Sequence, residues 1–195
     1  MADEVRLVID GYAVLELNKC AFQKDGRLIT QLPLGSDFSS SVPAENGMLL
    51  GADYAKGKVV LPTGAATEII GLHYSTEKLY NQQNQRLKDF ALFPDTSATI
   101  EDANYPRLGI LAVGDTFTTN CISYDPDEAS LADEATVKIT AAAAATTALY
   151  GIPTADGTIQ LTAIAPTTGV GLQVVKATTL PNGDYGIKFV VILAQ

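Results

Sequence analysis

The chain has 195 residues, one histidine, two cysteines, no tryptophan and a formal net charge of −9. A chain of this length buries roughly 70% of the surface that its unfolded form exposes, so it can fold without disulfides or metals. Its negative charge and scattered basic residues argue against binding to nucleic acid or to an anionic membrane, because both need clustered lysines and arginines.

Residues 1–46 predict an extended N-terminal arm that carries short strands. Apolar residues alternate with their neighbours over residues 5–9 and 13–17, which is a strand pattern. Lys24-Asp25-Gly26 is a turn signal, and residues 36–43 are polar. Several apolar side chains of the arm have no obvious partner within the chain, and they are the candidate partner-binding residues: Leu28, Ile29, Leu32, Leu34 and Phe38. The alternative interpretation is that these side chains close the first sheet of the body.

Residues 47–195 predict a β-rich body, with a sub-boundary expected at the acidic loop 125–134. Apolar or alternating runs between turn residues predict strands at 47–51, 57–61, 68–74, 107–113, 116–124, 136–140 and 158–162. Residues 75–93 favour a helix by propensity, with a polar loop as the alternative, and Pro94 ends either one. The alanines of 141–145 fit a helix or a strand.

Two dipeptides predict tight turns. Asn182-Gly183 lies between alternating runs at 172–179 and 185–193, which is a strong hairpin signal because such a turn needs positive φ angles. Gly114-Asp115 is a similar dipeptide between two predicted strands. About ten short strands predict a mainly β fold, an antiparallel β-barrel or sandwich with an extended N-terminal arm and at most one or two short helices.

Candidate chemistry is sparse. His73 has Ser75 nearby but no pattern that completes a catalytic triad, so a structural or surface role is expected. The acidic loop 125–134 departs from a calcium-binding loop at Ser130 and Thr136, which predicts a solvated loop, with an irregular calcium site as the alternative. Cys20 and Cys121 are expected to be buried thiols.

No nucleotide-binding glycine loop is complete, so the sequence predicts no cofactor, no metal, no catalytic residue and no enzyme. Residues 1–4 are acidic where a signal peptide would be basic, and no apolar run is long enough to span a membrane. We therefore expect synthesis in a cytoplasm.

The segment from Gly47 to Tyr124 resembles structural proteins of tailed-bacteriophage particles, and most of all capsid decoration (cement) proteins. Short strands punctuated by glycine carry the resemblance, together with residues 172–176 and the Asn-Gly turn: residues 57–66, 71–75 and 107–120. The resemblance covers about half of the chain. Residues 1–46 and the last third, which is rich in alanine and threonine, depart from a simple cement barrel.

The resemblance implies a non-enzymatic virion protein that binds and stabilises an assembled capsid. Its partners would be the major capsid protein and copies of itself, as a trimer or another homo-oligomer. Another phage head or tail component, a carbohydrate- or cell-surface-binding β-module, and a hydrolase with paired carboxylates remain as alternatives.

Overall fold

A computed structural model describes residues 4–7, 9, 11–39, 41–63, 68–74, 91–92, 104–143, 148–180 and 183–194. The fold is mainly β, as the sequence predicts, with large antiparallel sheets of which one is curled into half a barrel. The described part contains two short helices, α1 (Phe22–Asp25) and α2 (Glu134–Ala142). The architecture is consistent with the predicted barrel or sandwich.

The described strands, numbered along the chain, are β1 (Val5–Arg6), β2 (Leu15–Lys19), β3 (Leu28–Ile29), β4 (Ala44–Glu45), β5 (Leu49–Asp53), β6 (Lys58–Val60), β7 (Ile69–His73), β8 (Ala91–Leu92), β9 (Leu108–Gly109), β10 (Thr116–Thr119), β11 (Ile122–Tyr124), β12 (Tyr150–Pro153), β13 (Ile159–Thr162), β14 (Gly171–Thr179) and β15 (Tyr185–Leu193). They form an eight-stranded sheet, a five-stranded sheet and the pair β4–β8.

The eight-stranded sheet has the order β1-β11-β13-β12-β14-β15-β10-β2, and its β11–β13 pair is parallel while the other pairs are antiparallel. Strands β10 and β11 stand next to last at its two ends, yet only Asn120 and Cys121 separate them along the chain. The two ends of the sheet must therefore approach each other, and this curls the sheet.

The five-stranded sheet, in the order β3-β9-β7-β5-β6, is buried on both faces. One face carries Leu49 and Leu72, which pack in the main core with side chains of the eight-stranded sheet. The other face carries Leu50 and Leu108 in a second core. Side chains from residues 29–38 cover that second face, so the sheet needs apolar residues on both sides of each strand.

The described residues of 1–46 include strands that pair within the chain. Strands β1 and β2 occupy the two ends of the eight-stranded sheet, and β3 occupies one end of the five-stranded sheet. The alternating pattern of this region thus reflects strands paired within the chain. Sheet pairs also cross the acidic loop, since β10 pairs with β15 and β11 with β13. Neither residue 46 nor the loop 125–134 is a boundary between separate sheets.

The hairpin predicted at the C-terminal end is confirmed. Strands β14 and β15 pair antiparallel from Thr179↔Tyr185 to Gly171↔Leu193. Ile187, Phe189 and Val191 point into the main core, as the alternation of the last strand predicts. Most outward-facing residues of β15 are half-buried.

The strand predicted at 136–140 is wrong, because these residues lie in α2. The carboxylate of Asp133 accepts a hydrogen bond of 2.8 Å from the backbone N–H of Thr136, which caps the helix. Val137 and Ala141, four residues apart, face the core together. The threonines and valine suggested a strand, whereas the cap and the alanines favour a helix.

A further expectation concerns the dipeptide Gly114-Asp115. Gly114-Asp115 forms a turn, but it joins β9 to β10 in different sheets and makes no hairpin. Asp115 holds this crossing through carboxylate hydrogen bonds from the N–H groups of Ala21 (2.7 Å) and Ala112 (2.8 Å). The helix candidate 75–93 lies outside the described residues, except for β8 near its end.

Replacing Gly109 with alanine should destabilise the protein by about 1–3 kcal/mol, the usual cost of overpacking a core. A Cβ atom at this position would lie 2.5 Å from the ring of Phe22. Urea unfolding measures the loss. The shorter side chain of Phe22→Leu should reduce the penalty of Gly109→Ala, and an equal penalty in both backgrounds would show that the ring is not its cause.

Candidate functional site

The five candidate partner-binding residues belong largely to the chain's own core. Ile29, Leu32, Leu34 and Phe38 are buried in the second core, and Leu28 is half-buried against the main core. The alternative interpretation, that they close a sheet, describes their position. In this conformation four of the five are covered by the chain itself.

A buried ion pair joins β1 to β4. The Nη1 and Nη2 atoms of Arg6 donate hydrogen bonds of 2.6 Å each to the two carboxylate oxygens of Glu45, whose side chain is almost fully buried. The same carboxylate accepts a hydrogen bond from the backbone N–H of Ala13. Burial acts to lower the pKa of Arg6, but the bonds and charge of Glu45 raise it above its ordinary value, so Arg6 stays charged.

His73 is attached to the same strand, β4. Its side chain is fully buried and its Nδ1 atom lies 2.8 Å from the carbonyl oxygen of Glu45. A carbonyl oxygen only accepts, so Nδ1 carries the proton. Burial lowers the pKa of His73 to about 4, which keeps the ring neutral at pH 7. This geometry is that of a structural histidine, as the sequence predicts.

Residues at the junction of β10 and β11 form hydrogen bonds with the segment before β2. Asn120 accepts a hydrogen bond of 2.6 Å from the N–H of Val14 and donates one of 3.1 Å to Asp184. Thr119 donates its hydroxyl proton to the carbonyl of Val14 at 2.7 Å. These buried polar side chains therefore fix backbone groups that no sheet partner reaches.

A third polar group closes the turn between β12 and β13. The carboxylate of Asp156 accepts hydrogen bonds from the hydroxyls of Thr154 and Thr158 and from the backbone N–H of Thr158. Although burial acts to raise the pKa of Asp156, these bonds lower it below its usual value. The hydroxyl oxygen of Thr158 also lies 2.9 Å from that of Ser123 on β11, within hydrogen-bond distance. The carboxylate is thus occupied in holding its own turn.

The two cysteines and the acidic loop can be placed on the structure. Cys20 and Cys121 are buried free thiols, as expected, and burial raises the pKa of each to about 12, which disfavours the reactive thiolate. Within the described residues, no three histidine, cysteine or acidic side chains come close enough to hold a metal ion. In the acidic loop, Glu128 accepts hydrogen bonds from the N–H of Ala163 (2.8 Å) and the hydroxyl of Ser130 (3.0 Å).

Two well-exposed isoleucines belong to segments that are both hydrogen-bonded to the turn 128–130. Ile139 on α2 is 70% exposed, and Ile164 in the loop after β13 is 75% exposed. Thr140, next to Ile139, donates to the carbonyl of Ser130, while Ala163, next to Ile164, donates to Glu128. We call Ile139, Ile164 and the turn 128–130 the isoleucine surface. No local sequence pattern marks it, because its parts meet only through the fold.

Two adjoining grooves open beside the five-stranded sheet. The first has a volume of about 410 Å³ and is lined by Gly26, Arg27, Leu28, Ile29, Tyr54, Ile69, Ile70, Ile110, Leu111 and Val170. The second, of about 340 Å³, is lined by Ala52, Asp53, Tyr54, Ala55, Val60, Thr63, Glu68 and Ile69. They share Tyr54 and Ile69, so these two side chains form the ridge between them. Leu28 and Ile29 are the two candidate residues that reach a groove.

Arg6→Met should lower the free energy of unfolding by about 3 kcal/mol, near the low end for a broken buried pair, because Arg6 is itself partly exposed. The loss arises because Glu45 stays buried without its counter-charge. Urea unfolding at pH 7 measures it. Lys56→Met removes an exposed cation from the Asp53 pair and should leave the midpoint unchanged. Equal effects of the two variants would contradict the assigned role of Arg6.

His73 should make stability depend on pH between about 6.5 and 4. The ring is neutral in the folded protein down to a pKa of about 4, whereas the unfolded chain takes up a proton near pH 6.5. Its contribution, at most about 3 kcal/mol, is complete above pH 6.5 and is lost as the pH falls toward 4. His73→Asn keeps a donor near the Nδ1 position and should flatten this part of the pH profile in urea unfolding. An unchanged slope would argue against a buried neutral histidine.

Within the described part of the chain, no helix is long and apolar enough to cross a membrane. Comparison with known proteins found no family model that matches the chain, no similar curated protein and no similar solved structure.

Proposed function

We propose that the chain is a non-enzymatic virion structural protein that binds and stabilises the assembled capsid of a tailed bacteriophage as a decoration (cement) protein. The observation that carries the proposal is the isoleucine surface, where two large apolar side chains are held out into solvent. Its partners would be the major capsid protein and copies of the chain, and its place of action the virion.

The isoleucine surface suits adhesion to a large partner. Fully burying an isoleucine side chain contributes about 1.5–3 kcal/mol, so two such side chains would supply part of the free energy that holds each copy on the capsid. Hydrogen bonds to the turn 128–130 fix both segments, which limits the entropy lost on binding. Asp127 and Glu128 lie beside the isoleucines, so the complementary capsid surface would be apolar with a basic rim.

The polar interior also favours adhesion over chemistry. The carboxylates of Glu45 and Asp156 and the ring of His73 bond to groups of the same chain and fix its strands. A reactive site needs a nucleophile, a base and a stabilising donor arranged around open space. The clusters described above are instead closed and serve the stability of the scaffold.

The second groove gives the alternative function its one specific support. There Tyr54 stands beside the carboxylates of Asp53 and Glu68, a combination that can stack on and hydrogen-bond to a sugar. Both carboxylates already accept hydrogen bonds from the chain, from Lys56 and Thr63 respectively. A glycan array tests carbohydrate binding, and a blank array would count against it.

Replacing Ile139 or Ile164 with aspartate should weaken binding to phage heads about 10-fold or more, because each change removes an apolar anchor and adds repulsive charge at an acidic surface. Co-sedimentation with heads prepared without the chain measures the affinity. Val113→Asp changes another well-exposed apolar residue outside this surface and should bind like the wild type.

Two outcomes would overturn the proposal. One is mass spectrometry of purified particles that finds no copy of the chain. The other is heads that rupture at the same temperature with and without the added protein. Unchanged binding of both aspartate variants would reject the isoleucine surface as the contact.

A further inference from the structure

The ridge between the two grooves is the most unusual apolar feature of the described surface. Tyr54, which is 53% exposed, and Ile69 project between the grooves. The floor of the first groove is formed by buried core side chains of both large sheets, Ile70, Leu111 and Val170. Two exposed apolar side chains therefore lie beside an apolar groove on one patch of surface.

We propose that this patch binds a second copy of the chain in a two-fold symmetric dimer, in which Tyr54 of each copy enters the first groove of the other. A surface that carries both a ridge and a matching groove is complementary to itself after a two-fold rotation, which is the requirement for an isologous interface. The groove's 410 Å³ falls within the range of pockets that enclose ligands larger than a tyrosine ring. Tyrosine is enriched at such interface centres.

The charges at the two grooves support the same pairing. Among the described residues that line the first groove, Arg27 is the charged one, while Asp53 and Glu68 line the second groove. When Tyr54 of one copy enters the first groove of the other, Asp53 and Glu68, which line the second groove with it, come toward Arg27 of that other copy. Arg27 is well exposed and its pair with Asp25 is long, at 3.8 Å, so its guanidinium can turn to a new carboxylate or onto the entering ring.

This inference does not depend on capsid binding, because it concerns the purified chain alone. Sedimentation velocity over a concentration series should show a dimer of twice 20.5 kDa. Tyr54→Ala should raise the dimer dissociation constant at least 10-fold. Tyr105→Ala removes another exposed tyrosine, 41% exposed and outside both grooves, and should leave the constant unchanged.

Exchanging the charges of Arg27 and Asp53 tests the geometry through a recovery of dimer affinity as well as a loss. Arg27→Glu and Asp53→Arg should each weaken the dimer, and the chain carrying both changes should regain most of the wild-type affinity, because each copy then offers the opposite charge to the other. Circular dichroism confirms that each variant is folded.

Several results would overturn the proposal. The wild-type chain could stay monomeric at high concentration or form a trimer. The Tyr54→Ala chain could dimerise as strongly as the wild type does. Failure of the double variant to recover affinity, with each single variant folded and weakened, would reject the two-fold pairing of Arg27 with Asp53.

Discussion

The carboxylate of Glu45 is the point on which the N-terminal half of the structure depends. A buried carboxylate is costly unless it is neutralised and hydrogen-bonded, and here Arg6 and the backbone of Ala13 do both. The carbonyl of the same residue receives the ring of His73. One residue thus ties β1, the entry to β2, and β7 to the short strand β4. These bonds link the described N-terminal strand β1 to strands that lie later in the chain.

Polar and apolar side chains of the interior stabilise the fold in different ways. Apolar side chains fill the space between the two large sheets and over the second face of the smaller one. Hydrogen-bonded side chains occupy the places where strands break or cross, at Asn120, Asp115 and Asp156. These positions specify the connections between sheets, because a wrong connection would leave a buried polar group unsatisfied. The scaffold that results has these polar side chains bonded within the chain.

The sequence was sufficient where a local pattern determined the structure. The Asn-Gly turn and strict alternation predicted β14 and β15 with the correct buried face, and glycine-bounded apolar runs located β5, β6 and β7. The sequence was insufficient where contacts between distant residues determine the structure. Arg6 and Glu45 are 39 positions apart, and no spacing rule connects them. Leu32, Leu34 and Phe38 looked unpartnered because the sheet face that they cover is assembled from strands far along the chain. The helix α2 was missed because its β-branched residues predict a strand, whereas the capping carboxylate of Asp133 favours a helix.

The position of β1 and β2 in the eight-stranded sheet has a consequence for the order of folding. Both strands lie among the first 19 residues, yet their partners are β11 and β10, beyond residue 115. Those partners in turn pair with β13 and β15. Strands β1 and β2 are made before β10 and β11, so they cannot pair until those strands have followed. A topology dominated by such long-range contacts folds slowly, so the completed chain spends its earliest moments with both edges of its largest sheet unformed.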